Sequence, residues 1–352
     1  MKKILSYGLS TAVLIAAIWY LLNGITANEW TLIGQDFGNL HWGYIGLGLA
    51  ISMMSHIVRA VRYLTILRPL HPTLSFFASF NAVMIGYAFN TILPRAGEVV
   101  RPVMFARREG ISTEEAIGAV LVERILDVVS IMVALLLVVV LAGDTVAAIF
   151  AYYGATSASG SPVDTATVIQ NLTVFLGALL SVVFLLVFTN IGQIVAEQGI
   201  GRLHQRAGNA LSKIITKLSS GLSIIKEPRL YVRLTIESTL IWATYCFVAW
   251  FIIKAMPYEL AAHVTLAQAS IILVVIGMAV TIAPTPGALG IYQITAQAAL
   301  VTVCGATMTQ GLVFGMISWF VNYGLVLLGG GICWLIESRD RISPTSQNTT
   351  QL

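Results

Sequence analysis

The sequence predicts an all-α integral membrane protein: about six transmembrane helices plus two re-entrant broken hairpins, arranged as an inverted repeat. Three observations carry this. First, hydrophobic residues make up 57% of the chain and charged residues only 10%, against roughly 25% charged in soluble domains; the mean hydropathy is +0.85. Second, Lys and Arg fall in sharp clusters with bare stretches between them. Third, two apolar stretches are each interrupted by Pro-x-x-Gly, at Pro94-Arg95-Ala96-Gly97 and at Pro284-Thr285-Pro286-Gly287. Pro removes a backbone donor and Gly permits turn geometry, so each site should stop a helix.

The elements follow in order. Residues 4–22 are apolar behind Lys2 and Lys3. The run is too long for a signal-peptide core and lacks an Ala-x-Ala site, so it reads as a retained first span. Residues 42–66 return toward the cluster Arg59, Arg62 and Arg68. Residues 73–108 begin and end among basic residues, so they enter and leave on one side. Residues 116–142 cross outward, and 143–169 form a polar outer loop of Ser, Thr, Gly and Ala. Residues 170–193 cross inward, and 196–234 form a basic amphipathic helix suited to an anionic lipid surface. Residues 234–254 cross outward, 266–304 enter and leave from the outer side, and 309–336 return.

Orientation rests on charge. No Lys or Arg occurs between Arg124 and Arg202, nor in residues 23–41, and only Lys254 falls on an expected outer edge. The positive-inside rule then places both termini in the cytoplasm, in a multi-pass protein of the cell inner membrane. Each half reads span, span, broken hairpin, span, with opposite orientation: residues 1–142, then 143–336, then a polar tail 337–352. The alternative is that 73–93 and 266–283 are complete spans followed by loops, which their lengths allow. Charge parity argues against it, because a full span there would export Arg95, Arg101, Arg107 and Arg108. Unwound backbone at membrane depth survives only inside protein or beside water. Paired broken segments in two halves point to a transporter's substrate site.

The densest polar set surrounds the first break: Arg95, Glu98 and Arg101, then Glu123, Arg124 and Asp127 in the next span. Glu123 and Asp127 share a helix face. A charge at the centre of a span costs about 2.5–3.5 kcal/mol on insertion scales, so these groups should pair or meet water. They read either as a substrate site or as ion pairs that lock the hairpin to its neighbour. Arg59 and Arg62, one turn apart, read as a cytoplasmic entrance or as side chains snorkelling to headgroups. Guanidinium forks and a helix N-terminus together suit phosphate. The half-helices after Gly97 and Gly287 aim positive dipole ends inward, which favours phosphate-bearing substrates over cations. At the second break Pro284, Pro286, Gly287, Tyr292 and Gln293 supply backbone geometry and neutral hydrogen-bonding groups. Asn322 joins them or makes an interhelical hydrogen bond.

Nothing resembles a catalytic or cofactor set: no HExxH, GxSxG, phosphate-binding loop or Cys-His metal spacing occurs. No enzyme activity, metal, cofactor or nucleic-acid partner is expected. Cys246, Cys304 and Cys333 lie in apolar sequence and read as buried thiols.

Asn90-Thr-Ile-Leu-Pro-Arg-Ala-Gly-Glu98-Val-Val-Arg101, followed by Gly118-Ala-Val-Leu-Val-Glu123-Arg124-Ile-Leu-Asp127, resembles the lysylphosphatidylglycerol synthase transmembrane, flippase-like family. Pro284-Thr-Pro-Gly287-Ala-Leu-Gly290-Ile-Tyr292 resembles its second motif, usually Pro-x-Pro-Gly-Gly-Leu-Gly, and Arg59-x-x-Arg62 also fits. The resemblance covers nearly the whole chain. Ala288 stands where Gly is usual, and Gln293 where Glu is frequent, so an acid-dependent step at 293 is not carried over. The family implies movement of a lipid with a polar headgroup between leaflets. Bifunctional members carry a soluble aminoacyltransferase domain after the membrane part, and this chain reads as a stand-alone member.

These readings lead to a lipid flippase for a phosphate-bearing lipid, either a phospholipid or a polyprenyl-phosphate-linked one. Its partners would be membrane lipids with anionic or zwitterionic headgroups, with a homo-oligomer left open. The rival reading is a non-transporting scaffold for a lipid-modifying or glycosyl-transferring enzyme.

Overall fold

A computed structural model describes residues 26–93, 95–143, 228–282 and 285–342, with isolated positions between 170 and 181. Spans 4–22 and most of 170–193, the loop 143–169, most of the basic helix 196–234, the tail beyond 342, Pro94 and Pro284 lie outside the described residues. Within them every regular element is helical, and the protein is an all-α membrane protein.

The helices are α1 (Ala27–Gly38), α2 (Trp42–Leu67), α3 (Phe76–Ile92), α4 (Gly97–Glu109), α5 (Thr113–Leu141), α6 (Pro228–Lys254), α7 (Tyr258–His263), α8 (Leu266–Ile282), α9 (Ile291–Cys304), α10 (Met308–Trp319) and α11 (Leu325–Ile342). A 3-10 turn, Pro286–Ala288, precedes α9, and a π turn, Phe320–Gly324, joins α10 to α11. A span needs about 20 apolar residues. α2 has 26, α6 has 27, and α10 continues through the π turn into α11, so all three are long enough. α5 has 29 residues, apolar from Val128 onward. The stretch 286–304 is also long and apolar enough, but Gly287 breaks its helix with φ 59°, leaving only the 14 residues of α9.

Helix boundaries follow local chemistry. The Ser112 hydroxyl accepts from the Glu115 amide at 3.2 Å while the Glu115 carboxylate accepts from the Ser112 amide at 3.3 Å, a capping box that starts α5. Thr307 and Gln310 make the same exchange at the start of α10. α4 and α9 stop at Gly110 and Gly305, both in the left-handed region.

Two apolar cores sit toward opposite ends of α2. One gathers Ile45 with Ile252, Leu300 and Val313; the other gathers Tyr63 and Leu67 with Ala78, Phe105 and Val122. Between them α2 buries Ser52, Ser55, His56, Arg59 and Arg62. The polar band thus runs from the middle of α2 toward its C-terminal end, with apolar packing on both sides.

The packing is pairwise repeated. α2 packs on α3 as α6 packs on α8; α3 on α4 as α8 on α9; α4 on α5 as α9 on α10; α2 on α5 as α6 on α10. Across the two sets, α3 meets α11 as α8 meets α5, and α2 meets its own counterpart α6. The two sets of helices thus make their contacts in the same order. Two short helices, α1 and α7, occupy segments that sequence reading treated as connections. α1 packs on α10, where Asp36 bonds to Thr309, and burial raises the Asp36 carboxyl above its ordinary value.

Candidate functional site

The first break is a tight re-entrant corner. Leu93 ends α3 in an extended conformation, and Arg95 has φ 67°, a left-handed backbone that L side chains rarely adopt. The Gly97 amide then donates to Asn90 Oδ1 at 2.7 Å. A Cβ on Gly97 would fall 1.8 Å from the Gly86 carbonyl oxygen, so only glycine lets α4 close onto α3. That closure delivers Arg101 to the polar band.

Four arginines and three carboxylates meet there. Asp127 receives Arg59 at 3.1 Å and Arg62 at 2.7 Å on its two oxygens. Glu123 accepts from Arg101 at 2.7 Å and lies 3.8 Å from Arg62 Nε. Arg124 reaches Glu98 at 3.3 Å and Asp127 at 3.7 Å. α2, α4 and α5 are therefore joined by one ion-pair network. Its four guanidinium groups outnumber its three carboxylates by one, leaving a net positive charge. Arg62 is fully buried at 0% exposure, while the Arg124 and Glu98 side chains are 37% and 40% exposed, so the network has a closed back and an open front. Arg62 also donates to Ser238 Oγ at 3.1 Å, and Arg101 lies over the Tyr63 ring at 4.2 Å. Several buried atoms of this network make no hydrogen bond, among them Arg62 Nε, Glu123 Oε1, and Nε and Nη2 of Arg101.

The second break is neutral. Gly287 and Ala288 have φ 59° and 55°, and Gly290 has φ 81°. Thr285 Oγ1 donates to the Leu289 carbonyl at 2.9 Å, and the Gly290 amide donates to Gln293 Oε1 at 2.8 Å. Trp319 Nε1 donates to the Gly287 carbonyl at 2.6 Å. The two breaks touch: a Cβ on Gly287 would lie 3.3 Å from Thr91 of α3. The left-handed Ala288 gives a physical reason why glycine suits that position of the motif.

Between the ionic network and the second break stands an aromatic wall. Tyr245 Oη accepts from Arg59 Nε at 2.9 Å and Nη2 at 2.6 Å. Arg59 lies against the Tyr87 and Tyr245 rings at 5.3 and 5.6 Å. Tyr323 stacks on Trp319 with centroids 5.9 Å apart and meets Tyr292 edge-on at 5.8 Å.

The structure thus brings together Arg59, Arg62, Glu98, Arg101, Glu123, Arg124 and Asp127. Arg59 and Arg62 are neither snorkelling nor at an exposed entrance; both are buried in the network. Arg95 is exposed at the corner and has no ion-pair partner among the described residues. Gly97, Pro286 and Gly287 set backbone geometry, and Gln293 caps α9. Tyr292 is buried near Asn322, whose Nδ2 donates mainly to Ser318 within its own helix at 2.7 Å. Sequence reading missed Tyr87, Tyr245, Trp319 and Tyr323. Aromatics are common in spans, and nothing in their spacing marks them; the π turn at Phe320–Gly324, a feature frequent at functional sites, becomes visible only in the structure.

This is a multi-pass α-helical membrane protein with two broken hairpins and a buried polar network beside the first. The family model of the lysylphosphatidylglycerol synthase TM region matches residues 5–330. The chain belongs to that family, and it is a membrane protein of a family connected with lipid metabolism or transport. No curated protein and no solved structure matches it.

Proposed function

We propose that the protein is a lipid flippase that moves a phosphate-bearing lipid between leaflets of the cell inner membrane, with both termini cytoplasmic and without a catalytic step. The observation that carries this is the single excess positive charge of a network buried between two apolar cores. Buried charge needs compensation, and a phosphate approaching the half-exposed Arg124 supplies it in a geometry that guanidinium groups match bidentately. Burial on both flanks gives the headgroup a polar station inside the bilayer, while the half-exposed face lets acyl chains stay in lipid. The partner is the lipid itself, phospholipid or polyprenyl-phosphate-linked; no nucleic acid takes part, and a homo-oligomer is compatible. Purified protein in liposomes with fluorescent lipids provides the test. Protein-dependent movement of an anionic phospholipid is expected. Movement of none across a phospholipid and polyprenyl-phosphate panel would leave the scaffold reading instead.

A further inference from the structure

We propose that the Arg108–Glu337 ion pair is a latch that holds α11 shut against α3 and α4 and must release for lipid to pass. The proposal rests on the transport reading and adds to it the part that moves.

The latch closes a tightly packed seam. Gly330, Cys333 and Glu337 lie three and four residues apart, on one face of α11. A Cβ on Gly330 would fall 2.5 Å from Ala88 Cβ and 2.6 Å from the Met84 carbonyl oxygen, so α11 and α3 meet backbone against backbone. Cys333 is buried with Met84 and Ile85. At the end of this face the Glu337 carboxylate receives Arg108 from the last turn of α4. The Glu337 side chain is 8% exposed and that of Arg108 33%, so the pair stands at the mouth of the seam. The cleft beneath it, bordered by Ala82, Ile85, Met104 and Phe105, holds about 10 Å³, at most one water. Arg108 stands two turns from Arg101 on the same face of α4, and Arg101 is paired with Glu123 in the network. A phosphate that draws Arg101 away from Glu123 therefore pulls on the latch.

The corresponding seam, between α5 and α8, has no such tie. Beyond Asp127 α5 carries no charged residue, and α8 carries none at all. The buried contacts there are aliphatic, among Leu135, Val139 and Val274. A Cβ on Gly277 would stop 3.9 Å from Ile131, at ordinary van der Waals distance. Ile131 lies two turns along α5 from the half-exposed Arg124, on the same face. This seam therefore separates without breaking a charge pair, and it leads to the open front of the network. The latched seam opens only when a buried carboxylate loses its partner, which keeps it shut until the hairpin moves.

The native cysteines report the latch without reference to transport. The full chain in detergent is labelled with N-ethylmaleimide, and the rate at each cysteine is read by mass spectrometry of its peptide. Cys333, buried in the seam, should label more slowly than the half-buried Cys246 and Cys304. Glu337→Gln, and separately Arg108→Gln, should speed Cys333 labelling at least about fivefold, a shift of roughly 1 kcal/mol in the opening equilibrium. The other two rates should not change. Arg108→Lys keeps the charge and should keep Cys333 slow. Unchanged Cys333 labelling in both glutamine variants overturns the latch. So does equal acceleration of all three cysteines, which makes the pair a brace of the whole fold, and so does acceleration by Arg108→Lys as large as by Arg108→Gln. In liposomes a maleimide on Cys333 wedges the seam, so lipid movement should fall in step with Cys333 labelling and stay unaffected by the reagent in Cys333→Ala. Movement that persists at full Cys333 labelling overturns the latch alone; a selective rise at Cys333 with no lipid movement by the unlabelled protein removes the transport reading alone.

Discussion

Gly97 lies so close to Gly86 that a Cβ on it would come within 1.8 Å of the Gly86 carbonyl oxygen. Backbone cannot yield as a flexible side chain can, so Gly97→Ala must open the corner between α3 and α4. Overpacking usually costs about 1–3 kcal/mol, and the loss here should reach at least the upper end because Arg101 moves with the corner. Thermal unfolding in detergent checks this; a melting temperature equal to wild type would mean that the corner is not closed in this way.

Ala288 holds φ 55° without the freedom of glycine. An L residue in that region pays roughly 1–2 kcal/mol, and β-branched side chains tolerate it least. Ala288→Gly should be neutral to stabilising, by up to about 1 kcal/mol, since chain entropy offsets part of the gain. Ala288→Val should destabilise. Melting temperatures of the pair in one detergent give the comparison, and the reverse order would contradict the left-handed backbone.

Asp127 joins two buried arginines. Asp127→Asn leaves Arg59 without a countercharge and Arg62 with only Glu123 at 3.8 Å, and breaking a buried pair costs about 3–5 kcal/mol. The folded yield should fall sharply. Replacing Arg62 by Met together with Asp127→Asn should recover part of the loss, read in a double-mutant cycle; strict additivity would show that the two residues do not couple.

Outside the apolar spans, Glu115 titrates against its surroundings. The Ser112 hydrogen bonds, and then His71 at 3.1 Å, hold its carboxyl below the usual value. A depressed carboxyl contributes stability that is complete above the unfolded pKa and lost as pH falls through the folded one. Hydrogen exchange in the first turn of α5 should therefore stay slow at mildly acidic pH and speed up only below the ordinary Glu range. Glu115→Gln should abolish that pH dependence.

Much of the architecture was legible in the sequence because bilayer physics writes it plainly. Apolar runs mark spans, and the Pro-x-x-Gly of each break marks a corner; Gly97 and Gly287 behave as that reading required. The ionic set was legible too, since Glu123, Arg124 and Asp127 inside a span demand partners. Their pairing was not. Which arginine meets which carboxylate depends on how α2, α4 and α5 cross, and the sequence placed Arg59 and Arg62 nearer a surface than the packing does. The wall of Tyr87, Tyr245 and Tyr323 was invisible because its members come from three distant helices and look like ordinary span residues. α1 and α7 were missed because their flanking positions read as connections.

The most direct test of lipid binding at the network uses Arg124, its half-exposed arginine. Arg124→Lys keeps the charge beside Glu98 and Asp127 but loses the planar fork. Lipid movement in liposomes should fall at least roughly tenfold, about 1.4 kcal/mol of lost recognition, while the melting temperature stays near wild type. Unchanged transport in Arg124→Lys and also in Arg124→Ala would contradict a role for the network in holding the headgroup.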